Sequence, residues 1–86
     1  MDFNQNKPIY LQIADSICEK ILSGEYLPDE RILSVRELGV SLGVNPNTIA
    51  RVYEHLQGME IIYNKRGIGY FVSPSAPERI LERQRE

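Results

Sequence analysis

The sequence predicts a mainly α domain with one small β-hairpin, a three-helix core followed by a wing. Three observations predict it. Apolar residues recur at Ile9, Ile13, Ile17 and Ile21, a helical period sustained over four turns. Two further helices carry their own start and stop residues on either side of Gly43, close enough to form a helix-turn-helix. Directly after them, strand-like runs at 60–64 and 69–73 flank Lys65-Arg66-Gly67-Ile68, a basic hairpin tip. That order is a winged helix-turn-helix, an architecture that can lay one helix in the DNA major groove with a hairpin beside it.

Residues 1–7 are polar and expected to be loose. Pro8 opens the first helix, Tyr10, Ala14, Cys18 and Leu22 flank its apolar stripe, and Gly24 ends it. Its other face carries Gln12, Asp15, Ser16, Glu19 and Lys20, so it reads as a support helix that covers the core. Pro28-Asp29 signals a turn, and the short apolar piece after it could pair as an edge strand. Ser34 and Glu37 form a capping box, which starts the second helix at Val35. Leu38 and Leu42 share one face of it, and Gly39 is small where the next helix must approach. Asn45 as N-cap and Pro46 at the first helical position open the third helix, expected over about 46–57. Ile49, Val52, Tyr53 and Leu56 form its inward face. Beyond the linker Ser73-Pro74-Ser75-Ala76-Pro77, residues 78–86 look helical, with a second capping box at Ser75 and Glu78. Ile80 and Leu81 alone cannot make a separate core, so that helix packs elsewhere or begins something longer. The expected division is therefore a DNA-binding domain over 1–74 and, over 75–86, a linker and the truncated start of a dimerisation or effector segment.

Composition excludes several classes. Eighty-six residues suit one small domain, and the single cysteine rules out an internal disulfide or a multi-cysteine zinc site. Cys18 reads as a small buried hydrophobe on the first helix. No apolar run approaches the ~20 residues needed to span a bilayer, and no charged-then-apolar leader opens the chain, so a soluble cytoplasmic protein is expected. The net charge of −2 is unevenly spread. Residues 1–30 hold six acids and two bases, whereas residues 31–72 hold five bases and three acids. A phosphate responds to charge within a Debye length of about 8 Å, so the acidic total is no objection to DNA binding. His55 is the only histidine, no partner stands at ligand or general-base spacing, and Gly67-Ile68-Gly69 lacks the strand–helix setting of a phosphate loop. Neither catalysis nor a cofactor is expected.

The outward face of the third helix leaves Pro46, Asn47, Ala50, Arg51, Glu54 and His55, with Thr48 at the margin. Asparagine can pair bidentately with adenine and arginine with guanine, and both Asn47 and Arg51 lie in the half of the helix that enters the groove. Thr48 offers a hydroxyl to a phosphate or a base. Arg36 opens the second helix, where the chain crosses a DNA strand, and phosphate is its expected contact. Lys65, Arg66 and Gly67 form the wing: the cations suit the minor-groove potential, and glycine lets backbone approach closely. Each has a plainer reading, as a solvated helix face, a surface ion pair of Arg36 with Glu37, or a charged turn that protects sheet edges.

Taken together, residues 8–72 resemble the N-terminal domain of GntR-type bacterial transcription regulators. The segments PIYLQIADSICEKILSGEY, ILSVRELGVSLGVNPNTIARVYEHL and IYNKRGIGYFV carry the resemblance. Asn45-Pro46-Asn47-Thr48 and the ending from Arg66 to Val72 look most like the small YtrA-like branch, whose members append a short helical dimerisation segment and are often encoded beside ABC transporter genes. The resemblance implies DNA contacts at Arg36, Asn47, Thr48, Arg51 and Gly67. The chain departs from the pattern at Pro46 and Ala50, where many relatives carry arginine, so its base-reading set is reduced. The family's C-terminal dimerisation and effector segment is missing or barely begun at 78–86.

The expected function is a sequence-specific transcription regulator, a repressor, that binds double-stranded DNA at an inverted-repeat operator as a homodimer when full length. Two rivals have different signatures. A winged-helix protein–protein interaction module would use the acidic first helix, and the bases of the third helix and hairpin argue against it. RNA binding needs exposed aromatics for stacking. Tyr53 and Phe71 fit core positions, which leaves Tyr63 and Tyr70.

Overall fold

The computed structural model describes residues 7–84, so the loose segment expected at the start of the chain lies outside it except for Lys7. Helix α1 (Ile9–Leu22) follows Pro8, whose carbonyl accepts from the Leu11 and Gln12 N–H groups. Ile13, Ala14, Ile17 and Ile21 are buried, but Ile9 is 56% exposed. The correction is geometric. Residues spaced by four advance about 400°, so the stripe winds by about 40° at each step and leaves the core face at its start. Tyr10 packs there instead.

Helix α2 (Val35–Leu42) starts as the capping box requires. The Ser34 hydroxyl accepts from the Glu37 N–H at 3.1 Å, and the Glu37 carboxylate accepts from the Ser34 N–H at 2.9 Å. The Ser34 backbone N–H first, and its hydroxyl second, hold the Glu37 carboxyl below the usual glutamate range. Leu38 is buried, but Leu42 is not, because it is the last helical residue before the chain turns away at Gly43. A Cβ on Gly39 would stand 2.9 Å from the Val44 carbonyl oxygen and 3.7 Å from Ile49, so the crossing of the two helices depends on its absence.

Helix α3 (Pro46–Gly58) is capped by Asn45, whose side chain accepts from the Asn47 N–H at 2.8 Å. Ile49, Val52, Tyr53 and Leu56 are at most 1% exposed, as their spacing predicts. Strands β1 (Ile62–Lys65) and β2 (Gly69–Val72) pair antiparallel, with Ile62 opposite Val72 and Tyr63 opposite Phe71. The expected edge segment is present. Ile32 N–H donates to the Tyr70 carbonyl and Val72 N–H to the Glu30 carbonyl, so residues 30–32 run antiparallel along the free side of β2. Helix α4 (Ala76–Gln84) packs on α1, where Ala76 and Ile80 join the core, and Arg79 reaches Glu60 at 2.9 Å.

Strand parity overturns one expectation. Phe71 is not a core residue: Tyr70 and Val72 point inward, so Phe71 lies on the outer face against Tyr63. The two rings are nearly parallel, with centroids 5.7 Å apart.

Candidate nucleic-acid interface

The inward packing of α3 decides what its outer face can offer. With Ile49, Val52, Tyr53 and Leu56 sealed against α1 and α2, Asn47, Arg51 and Glu54 are left exposed, and Thr48 is half-buried at the edge. Asn47 and Arg51 are four residues apart and stand above one another on that face. Pro46 at the first helical position and the Asn45 cap start the helix there, and Asn45, Pro46 and Asn47 are all exposed.

Arg51 does not extend freely into solvent. Its Cζ lies 4.3 Å from the ring centroid of Tyr10 on α1. Tyr10 is packed against the core and meets His55 edge-on, with centroids 6.0 Å apart. Arg36 is exposed in the first turn of α2 and forms no ion pair with another described residue. The expected alternative partner, Glu37, is committed to the cap. A cation at a helix N-terminus opposes the macrodipole, so helix stability alone does not account for Arg36.

The wing tip is a turn closed by the Ile68 N–H on the Lys65 carbonyl at 2.9 Å. Gly67 has φ +82°, and no atom lies within 4 Å of where its Cβ would be. The glycine is therefore demanded by the turn itself as well as being open to a ligand. Arg66 is exposed, and the Lys65 ammonium lies 4.6 Å from the Phe71 centroid. Lys65, Arg66 and Gly67 thus share one exposed tip. Arg51, with Tyr10 as its neighbour, belongs to a separate cluster on the α1–α3 side.

Sequence reasoning missed Arg31. Its backbone pairs with Phe71, its Nε donates to the Ile68 carbonyl at 3.3 Å, and the guanidinium fills the space beside Gly69, where a Cβ would come within 3.0 Å of Nε. Arg31 braces the wing against the body and adds a cation to its base. The clue available was only its place in the edge segment. Tyr63 is tied from the same segment, its hydroxyl donating to Asp29 Oδ1 at 2.9 Å, and that carboxylate raises the phenol above its ordinary value. Tyr53 joins the two halves of the interface. Its hydroxyl donates to the Leu33 carbonyl, and its ring meets Tyr70 of β2 edge-on at 4.8 Å. Burial pushes the Tyr53 phenol well above the usual range, which keeps it a neutral donor.

The face formed by α1 and α4 has a different character. Asp15, Cys18, Glu19, His55, Ile80 and Arg83 line a cleft of about 420 Å³. Burial, helped by Asp15 and Glu19, pushes the Cys18 thiol up to about 11, which suits an unreactive packing residue. Among the described residues no group of His, Cys, Asp and Glu could hold a metal ion, and no helix is long and apolar enough to cross a membrane.

Residues 9–72 match the model of the bacterial regulatory proteins of the gntR family. The chain belongs to the GntR family. It is 43% identical over 74 residues to the HTH-type transcriptional regulator YhcF of Bacillus subtilis, covering 86% of this chain and 61% of YhcF. It is 35% identical over 82 residues to the HTH-type transcriptional repressor YtrA of the same organism, covering 95% of this chain and 63% of YtrA. The chain therefore spans about three-fifths of the length of these relatives. A GntR family transcriptional regulator from Listeria monocytogenes superposes with a TM-score of 0.83 at 42% identity, covering 96% of this chain and 72% of that one. The DNA-binding domain of AraR in complex with operator ORR3 superposes at 0.75 with 30% identity, covering 85% and 88%. The fold is thus the GntR winged helix, with YtrA among the relatives as the sequence resemblance implied, and these relatives are named as transcription regulators, not enzymes.

Proposed function

We propose that this chain is the operator-reading domain of a cytoplasmic transcription repressor. In this reading α3 lies in the major groove, with Asn47 and Arg51 at base edges and Thr48 at a base or the backbone. Arg36 meets phosphate, and Lys65, Arg66 and Gly67 meet the flanking minor groove. The observation that carries the reading is the combination of one open polar helix face with a braced cationic hairpin beside it. The AraR DNA-binding domain, similar in fold and sequence, has a crystal structure in complex with an operator, and YtrA is named a repressor. A single small domain with few cations makes weak contacts, so we read the functional unit as a homodimer on an inverted repeat, with half-sites about one helical turn apart. We assign residues 1–74 to the reading domain, and residues 75–86, whose α4 adds Ala76 and Ile80 to the same core, lead from it toward a dimerising segment.

Selection of duplexes from a random pool, followed by salt titration of variants, tests this. Arg51→Ala should lose roughly 1–3 kcal/mol on the selected duplex and relax preference at one position per half-site. Lys65→Ala should weaken selected and scrambled duplexes alike and reduce the salt slope by about one. Equal losses on both duplexes for Arg51→Ala would mean that α3 positions the protein without reading sequence. Recovery of a single asymmetric half-site at equal affinity would remove the dimer.

A further inference from the structure

Arg51 has two possible partners on the protein surface. Glu54 stands three residues further along the same exposed face of α3, a spacing at which helices pair opposite charges. An ion pair there would occupy the N–H donors of the guanidinium. The side chain instead lies over Tyr10, 4.3 Å from the ring centroid, and among the described residues it makes no ion pair. The platform is itself fixed, because Tyr10 packs against the core from the first turns of α1 and His55 abuts its ring at 85°. A cation–π contact uses no conventional acceptor, so the five donors of the arginine fork stay available. Restricting the rotamers of a long side chain in advance also lowers the entropy lost on binding.

We propose that Tyr10 is a positioning residue for DNA reading: its ring holds Arg51 away from Glu54 and presents the guanidinium ready for bidentate contact with a base edge. The inference rests on the reading of α3 as the major-groove helix, and it adds a residue of α1, outside the helix-turn-helix, to the determinants of specificity.

Binding to a duplex selected from a random pool and to a scrambled duplex would be measured for the wild type, Tyr10→Leu, Tyr10→Phe, Arg51→Ala and the double variant Tyr10→Leu with Arg51→Ala. Tyr10→Leu should weaken the selected duplex about two- to fivefold, the range for an exposed cation–π pair, and leave the scrambled duplex unchanged. Tyr10→Phe, which keeps the ring face, should bind as the wild type does. In the Arg51→Ala background Tyr10→Leu should have no further effect. A loss from Tyr10→Leu that is the same with and without Arg51 overturns the inference alone. Equal losses of Arg51→Ala on both duplexes overturn the reading of α3 and this inference with it. One readout needs no variant: in the wild-type protein free of DNA, the Arg51 side-chain protons should carry an upfield ring-current shift in the NMR spectrum, and its absence overturns the proposal.

Discussion

The bend between α2 and α3 and the bend at the wing tip each turn at a left-handed glycine, yet only the first is also locked from inside the core. At the first, Gly43 turns the chain with a left-handed φ of +67°, and Gly39 lets the Val44 carbonyl close in to a distance that a Cβ would violate, so the angle between the helices is also set from inside by contact. At the second, Gly67 faces open space, and the bend is set by its own left-handed φ of +82° and by one backbone hydrogen bond. Two contacts from outside steady the hairpin, Arg31 on the Ile68 carbonyl and Asp29 on Tyr63, and the Lys65 ammonium over Phe71 adds one within it. The part that aims α3 adds steric exclusion in the core to a left-handed glycine turn, whereas the wing has only local dihedrals and surface contacts. Steric exclusion is steep and surface contacts are shallow, so the two regions should respond to substitution on different scales.

The largest effect should follow Gly39→Val. Overpacking against backbone cannot be relieved by a rotamer change, and a loss of about 3 kcal/mol is expected, at the top of the usual range. For a domain of this size that lowers the melting temperature by roughly 12–24 °C in calorimetry or circular dichroism. A drop no larger than that of the same substitution at the wing would break the comparison. Gly67→Val should cost about 1–2 kcal/mol, the penalty of a left-handed non-glycine residue. Gly67→Asn, which tolerates that region, should recover most of it. If asparagine melts with valine, the tip is limited by space and not by φ.

Arg31→Ala sharpens the comparison on the wing side. Loss of one exposed hydrogen bond should lower stability by about 0.5–1 kcal/mol, yet speed amide exchange in β2 well before it affects α3. Uniform acceleration across both would show that the wing is not a separate, softer unit. The smallest effect concerns the cap of α2. The folded-state carboxyl of Glu37 is held below its unfolded value, so its contribution is present above about pH 4.3 and fades as pH falls through the lower, folded value. The melting difference between the wild type and Glu37→Ala, present at pH 7, should therefore shrink below about pH 4.

The steric half of this molecule was the legible half. The inward face of α3 could be read from spacing because helical periodicity is a local property, Ser34 and Asn45 marked helix starts through bonds that span two or three residues, and Pro46 did so through its fixed φ. The misreadings occur where local rules run out. Ile9 and Leu42 continue a pattern past the point where a neighbour covers it. Phe71 sits in a strand of four residues, too short for alternation to declare which side is inward, so the pairing with Tyr63 and the edge segment decides it. Arg31 reaches a carbonyl 37 residues away, and Tyr10 meets Arg51 across two packed helices. No periodicity carries contacts of that kind.

Tyr53 joins the two regions, with its hydroxyl on Leu33 and its ring against Tyr70. Because it springs from α3 and touches β2, the helix and the hairpin keep a set separation, like the jaws of a locked caliper. On the proposed docking, such a tool gauges the DNA as well as reading it. A duplex whose groove spacing does not match the jaws must itself deform, at an energy that depends on its sequence. Base pairs that no side chain touches, between the helix and the wing, would then contribute to the choice of operator through their stiffness.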